Sequence, residues 1–266
     1  RFYHAALLAT IFIIVGALLE GAAGMHTLSG LSKVGDLSTA ASISVSTAIA
    51  VTILTIMKLP ISTSQSAVGA IIGTALAKST SVNWQSLVKV VLCWIGTPIG
   101  AMIVSFLLYH LFSQLIKRWK ISFIRMDGYL RLGMIAAGCY GAYALGANNV
   151  ANVTGVFRGL HLFGLTGEKE ILMLTLIGSV SISIGVWTFS KRVMMTVGKS
   201  LYNLDAFTAF IAVLAQAITV HFYAWVGVPV SSSQAIIGAV IGIVMVRGFD
   251  RLNKKPLMKI LGGWIA

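Results

Sequence analysis

The chain has 266 residues, of which 57% are hydrophobic and only 10% charged, with a formal net charge of +13. Stretches as long and as free of charge as 5–19, 87–112 and 204–223 match what is needed to cross a hydrocarbon core of about 30 Å, so a soluble globular domain is excluded in favour of a polytopic membrane protein. The basic residues gather at or just beyond the ends of apolar segments, at 117–131, 191–199 and 247–259, which is the positive-inside bias of cytoplasmic loops and not a nucleic-acid surface.

Apolar patterning predicts helices near 4–30, 37–57, 60–77, 87–112, 130–146, 168–189, 204–224, 228–246 and from 257 onward. The first carries Glu20, the one carboxylate deep in an apolar stretch. Two readings of it stay open: a functional intramembrane group, or a hydrogen-bonded or wetted carboxylate near the outer end of a long helix. The Ser/Thr-rich run 38–52 reads as a close-packing helix face. Cys93 and Cys139 both fall within spans and imply neither a disulfide nor a metal. The fifth helix ends in GANNVANVTG, Gly146–Gly155, with three amides between glycines. Asn and Gly are poor helix-interior residues, so a helix break is expected there. Freed backbone at membrane depth is tolerated only inside protein or beside water. An Asn amide both donates and accepts, so Asn148, Asn149 and Asn152 are candidates to hold an oxyanion or, through Asn149 and Asn152, a cation. The competing reading is an interfacial loop with a glycosylation-like Asn152–Val153–Thr154. Asp205 reads as a helix N-cap.

Residues 59–80 and 228–249 are two copies of one segment. At a constant offset of 169, Pro60, Ser62, Ser64 and Gln65 match Pro229, Ser231, Ser233 and Gln234, and Gly69 and Gly73 match Gly238 and Gly242. Each copy places a hydroxyl-rich turn, Ser62–Thr63–Ser64–Gln65 or Ser231–Ser232–Ser233–Gln234, at the start of an apolar helix. Such a start leaves N–H groups free, carries partial positive charge and binds anions. Plain N-capping accounts for one hydroxyl in each turn but not for the shared Ser-x-Ser-Gln pattern.

With 117–131 in the cytoplasm, the two copies thread in opposite directions. The expected fold is therefore an all-α polytopic membrane protein of two inverted-topology repeats, 1–120 and 121–266, with broken or hairpin helices meeting near the bilayer midplane. The first repeat then lacks its first helix and the second has its last helix cut, so the sequence reads as a fragment.

These motifs resemble the inorganic phosphate transporter family known as PiT or PHO4. Gly146–Asn152 is similar to its Gly-Ala-Asn-Asp-Val-Ala-Asn motif. Pro60–Gln65 and Pro229–Gln234 are similar to its Pro-Val-Ser-Thr-Thr-His motif, and GALLEGAAG (16–24) and GLSKVGD (30–36) stand in family-like places. The resemblance implies cation-coupled phosphate uptake, sulfate in some members, a homodimer and no cofactor. The chain departs from the pattern at Asn149 for aspartate, at Gln65 and Gln234 for histidine, and at Ile13 for a glutamate. Hydrogen phosphate benefits from an acceptor whereas sulfate wants donors only, so the Asp-to-Asn change tilts towards sulfate without deciding it.

The function expected is a multi-pass plasma-membrane carrier of phosphate, with sulfate as the alternative anion, working by alternating access and coupled to Na⁺ or, alternatively, to H⁺. An intramembrane enzyme lacks a base or second carboxylate beside the Ser turns. An anion channel favours charged rings over duplicated neutral turns.

Overall fold

In a computed structural model the described residues are 2–57, 61–119, 122–197, 204–248 and 262, and side chains in 123–124 and 189–197 are left aside. Nine helices are described: α1 Phe2–Glu20, α2 Ala22–Ser29, α3 Leu37–Ile56, α4 Thr63–Ala77, α5 Trp84–Trp119, α6 Phe123–Thr154, α7 Gly167–Val197, α8 Ala206–Val226 and α9 Ser232–Arg247. Five of them, α1, α3, α5, α7 over Gly167–Thr188 and α8, are long and apolar enough to cross a membrane. No strand occurs among the described residues; one bridge, Ser32 with Val82, ties the loops before α3 and α5 together. Pro60 and the helix expected from 257 onward lie outside the described residues, as does most of the basic tail after Arg247.

Two sequence expectations need correction. The first apolar segment is not one helix: it divides at Gly21, where a Cβ would lie 2.4 Å from the Val150 side chain and 2.5 Å from the Ala17 carbonyl oxygen. The fifth helix does not break at Gly146. It runs on through Asn148, Asn149 and Asn152 to Thr154 and gives way to a 3₁₀ turn at Gly155–Phe157. Gly146 serves packing instead. A Cβ there would sit 2.0 Å from the Ile13 carbonyl oxygen, and one at Gly16 would sit 2.1 Å from that of Tyr143. Each glycine thus faces the carbonyl three residues before the other, and α1 and α6 touch backbone to backbone, as small residues allow in membrane helix pairs. Asn152–Val153–Thr154 is accordingly helical, with the buried Thr154 hydroxyl donating to the Val150 carbonyl.

α6 lies at the centre, packed on α1, α2, α4, α7 and α8, while α8 joins it to α5 and α9. The α5–α9 contact repeats the glycine device: Gly238 and Gly242 press on the carbonyls of Pro98 and Met102. α3 and α4, and likewise α8 and α9, are hairpins of a long helix and a shorter one. Their tips are the two Ser-rich turns. Outward-facing Val88, Leu92, Ile95, Ile99, Ile103, Leu107 and Leu111 recur at three- and four-residue spacing along α5. Such a stripe is unfavourable in water and is the surface a bilayer requires.

Candidate functional site

The two hairpin tips adopt the same local structure because they carry the same residues. Ser62 and Ser231 are extended N-caps; the Ser62 hydroxyl accepts from Gln65 N–H at 3.2 Å and the Ser231 hydroxyl from Gln234 N–H at 3.3 Å. The tips also hold each other. Ser64 Oγ donates to the Val230 carbonyl at 3.0 Å, and Ser233 Oγ donates to the Ile61 carbonyl at 2.9 Å. Ser233 is the repeat equivalent of Ser64, and Ile61 of Val230. Two bonds that exchange equivalent partners are what a local two-fold axis produces.

The Asn motif clasps this junction from α6. Asn148 Nδ2 donates to the Val230 carbonyl at 2.8 Å, and Asn148 Oδ1 accepts from Val230 N–H at 3.1 Å, so one side-chain amide meets both backbone polar groups of Val230. Asn152 Nδ2 reaches Ser64 Oγ at 2.9 Å, Asn149 Oδ1 at 3.0 Å and Thr63 Oγ1 at 3.5 Å. Ser231 and Ser233 hydroxyls are 2.8 Å apart, and Trp94 Nε1 donates to the Pro229 carbonyl from α5. Ser62, Ser64, Asn148, Ser231 and Gln234 are buried, whereas Thr63 is exposed and Gln65, Asn149, Asn152, Ser232 and Ser233 are half-buried.

Three helix ends therefore meet. The positive N-termini of α4 and α9 face one another, and the negative C-terminal turn of α6 lies alongside. The caps take up the N–H groups of Gln65 and Gln234, and those of Thr63, Ser64, Ser232 and Ser233 have no helical carbonyl to bond. Every hydrogen-bond partner named so far is neutral. Two buried oxygens, Asn152 Oδ1 and Gln234 Oε1, have no hydrogen-bond partner among the described residues. A buried carbonyl left unpaired costs about 1–3 kcal/mol, which a bound cation or a donor would recover. A separate cavity of about 260 Å³, lined by Lys33, Asp36, Thr39, Thr74 and Lys78, lies at the far end of α4 from the Ser turns.

All the sequence candidates thus come together, though with divided roles. Asn148 is committed to the Val230 backbone. Gln65 reaches the site through its backbone N–H. The sequence reading singled out Glu20 but missed its partners: Glu20 Oε2 lies 2.7 Å from His221 Nε2, and Tyr140 OH lies 2.7 Å from His221 Nδ1. A histidine in the middle of the apolar run 206–226 is itself a functional signal, but its partners on α1 and α6 are remote in sequence.

A model of the phosphate transporter family matches residues 1–266. A protein of Pyrococcus furiosus named "putative phosphate permease" is 27% identical over 280 residues, covering 78% of this chain and 68% of its own length. One of the same name from Methanocaldococcus jannaschii is 28% identical over 260 residues, covering 98% of this chain and 79% of its own length. Sodium-dependent phosphate transporter 1 of Felis catus is 30% identical over 137 residues, which is 50% of this chain but 20% of that protein. A solved structure described as the sodium-dependent phosphate transporter shares the fold with a TM-score of 0.85 at 22% identity, over 100% of this chain and 86% of that one.

Proposed function

The chain belongs to the phosphate transporter family, and we propose that it is a secondary carrier moving inorganic phosphate by alternating access together with Na⁺. One observation carries this reading: two Ser-capped helix N-termini from equivalent hairpins meet beside an Asn cluster that holds an unpartnered buried carbonyl oxygen. The free N–H groups of Thr63, Ser64, Ser232 and Ser233, with the hydroxyls of the same turns, are donors for the phosphate oxygens. Neutral donors do not cancel the anion's charge, so a companion cation lowers the cost of crossing a low-dielectric barrier. Na⁺ fits the oxygens of Asn149 and Asn152 at the negative end of α6, as ions do at helix ends in transporters of this architecture.

The chain divides at the basic stretch into halves 1–120 and 121–266 that would rock against each other. The reciprocal Ser64–Val230 and Ser233–Ile61 bonds support this, because equivalent contacts can be exchanged between two states of equal construction. The site also favours phosphate over sulfate. Gln234 Oε1 is an acceptor that the hydroxyl of hydrogen phosphate can satisfy and fully ionised sulfate cannot.

Uptake of labelled phosphate into proteoliposomes under an imposed Na⁺ gradient, and separately under a pH gradient, tests the proposal. The expected result is saturable uptake driven by Na⁺ and competed poorly by sulfate. Uptake that ignores both gradients, or sulfate uptake that exceeds phosphate uptake, would defeat it.

A further inference from the structure

We propose that Glu20 and His221 form a proton-binding site inside the membrane whose occupancy is linked to phosphate binding at the Ser turns. The inference rests on the phosphate reading above and adds a second ion to it.

The pair joins separate elements. Glu20 closes α1, His221 lies in α8, and the two side chains meet at 2.7 Å. Their side chains are only 27% and 11% exposed, respectively. Tyr140 of α6 completes a chain of three at His221 Nδ1. The rings of Tyr140, Tyr143 and Trp225 surround the imidazole. Histidine is the side chain whose charge changes near neutral pH, and a carboxylate at its Nε2 gives the added charge a partner.

The proton balance is simple. With one proton between Nε2 and Oε2, Nδ1 accepts from the Tyr140 hydroxyl and the pair carries one negative charge. A proton arriving from water at Nδ1 makes the imidazolium, neutralises the pair, and turns the Tyr140 oxygen from donor to acceptor. Other ionisable groups stand on the packed elements. On α8 there is Tyr223; on α2, His26; on α1, Tyr3 and His4 at its opposite end; on α6, Cys139 beside Tyr140, and Arg125, Asp127, Tyr129 and Arg131 in its first turns; on α5, Tyr109, His110, Lys117 and Arg118 towards its C-terminus, and Cys93 and Lys89, whose Nζ reaches the Val226 carbonyl at 3.5 Å. α9 has none before Arg247, and α7 has only Glu168, Lys169 and Glu170, in its first turn, before residue 191.

Both members of the pair lie on elements that lead to the anion site. Glu20 precedes Gly21, which presses on Val150, the residue between Asn149 and Ala151. In α2, Gly24 packs on Ala151 and the Thr27 hydroxyl donates to the Gly227 carbonyl. His221 stands at the end of α8 that runs through Gly227 into Pro229 and Val230, the residue clasped by Asn148 and Ser64. A change of charge and bonding between Glu20 and His221 therefore acts on both walls of the cluster. If proton and phosphate binding are coupled, each must change the affinity of the other by the same factor.

The test is phosphate binding to the purified full chain across about pH 5 to 8, the range where side chains of this type change charge. The phosphate ion's own titration is common to every variant, so the ratio of parent to variant affinity is what is read. That ratio is expected to change by about tenfold across the range in both Glu20→Gln and His221→Gln, a typical coupling. The double variant should behave like either single one. Tyr140→Phe, which leaves the pair in place, should keep the pH dependence and move its midpoint. A ratio that stays constant with pH in all variants would mean that the pair is a structural brace and would overturn the proposal. Infrared difference spectra of a pH titration without phosphate provide a second readout on the parent protein. A carboxylate and imidazole transition lost in His221→Gln supports the site; no such transition in the parent overturns it. Failure of the parent to bind phosphate at any pH would defeat the functional reading instead, while the infrared titration would still decide the proton site.

Discussion

At the residue scale, the cluster separates groups that hold the fold from groups free to meet a ligand. Asn148 bonds both backbone polar groups of buried Val230, so Asn148→Ala strands the Val230 N–H and removes one of two donors to its carbonyl. A loss of about 1–3 kcal/mol is expected for the one stranded group, read as a lower melting temperature in detergent with or without phosphate. Asn152 differs, because its Oδ1 has no hydrogen-bond partner. Asn152→Ala should raise the Na⁺ concentration for half-maximal uptake about tenfold or more, a loss of about 1.5–3 kcal/mol per bond to a charged group. An unchanged Na⁺ requirement in that variant removes Asn152 from the cation site. Asp205 caps α8 and accepts from Thr208 N–H at 2.8 Å. Burial pushes its carboxyl up, but the Thr208 N–H and hydroxyl and the Arg247 guanidinium together hold it below its usual value. The folded value being the lower one, its stabilisation is present above the ordinary aspartate range and is lost as pH falls through the folded value. Asp205→Asn, which keeps a capping side chain, should flatten the acid limb of a melting-temperature profile below about pH 4. An unaltered acid limb would show that the carboxylate contributes nothing there.

At the scale of elements, the repeated glycines have unlike surroundings. Gly238 and Gly242 of α9 meet backbone of α5, at 2.1 and 2.2 Å from the Pro98 and Met102 carbonyl oxygens for an added Cβ. Their equivalents in α4, Gly69 and Gly73, have nothing within 4 Å among the described residues. Gly238→Ala must push two helices apart and should cost about 1–3 kcal/mol. Gly73→Ala should be neutral or stabilise by up to about 1 kcal/mol, since alanine favours a helix. Melting temperatures of the two variants, measured side by side, check this; equal losses would show that the α4 face is covered as α9 is. The same comparison explains why a repeat read in sequence need not predict burial. A helix inherits its turn chemistry from its own residues but its neighbours from the whole chain.

At the scale of the molecule, the placement of charge predicts an orientation in the bilayer. Lys117, Arg118, Arg125 and Arg131 cluster where α5 ends and α6 begins, while the loop joining α4 to α5 has Lys78 paired with Asp36 at 3.5 Å. The positive-inside bias predicts that the α5–α6 junction faces the cytoplasm. With Cys93 and Cys139 replaced, a single cysteine at Ser122 should react with an impermeant maleimide only from the inside, and one at Ser79 only from the outside. Labelling of both from one face would contradict the threading.

The sequence alone determined the class of the protein, because apolar length and the scarcity of charge leave a bilayer as the only solvent for stripes such as Val88–Leu111 of α5. It also determined the two Ser turns, since an N-cap is a local bargain between a hydroxyl and N–H groups two or three residues on. The internal repeat further pointed to their pairing. Local propensity misjudged Gly146, which reads as a helix breaker but is the point where α1 and α6 touch. It could not find the partner of Glu20 either, because His221 lies 201 residues away along the chain. Only the tertiary structure decided which amides are spent on backbone and which remain free. Packing, not spacing, brings Asn148 to Val230, leaves Asn152 Oδ1 without a hydrogen-bond partner, and sets one carboxylate against one imidazole within the membrane.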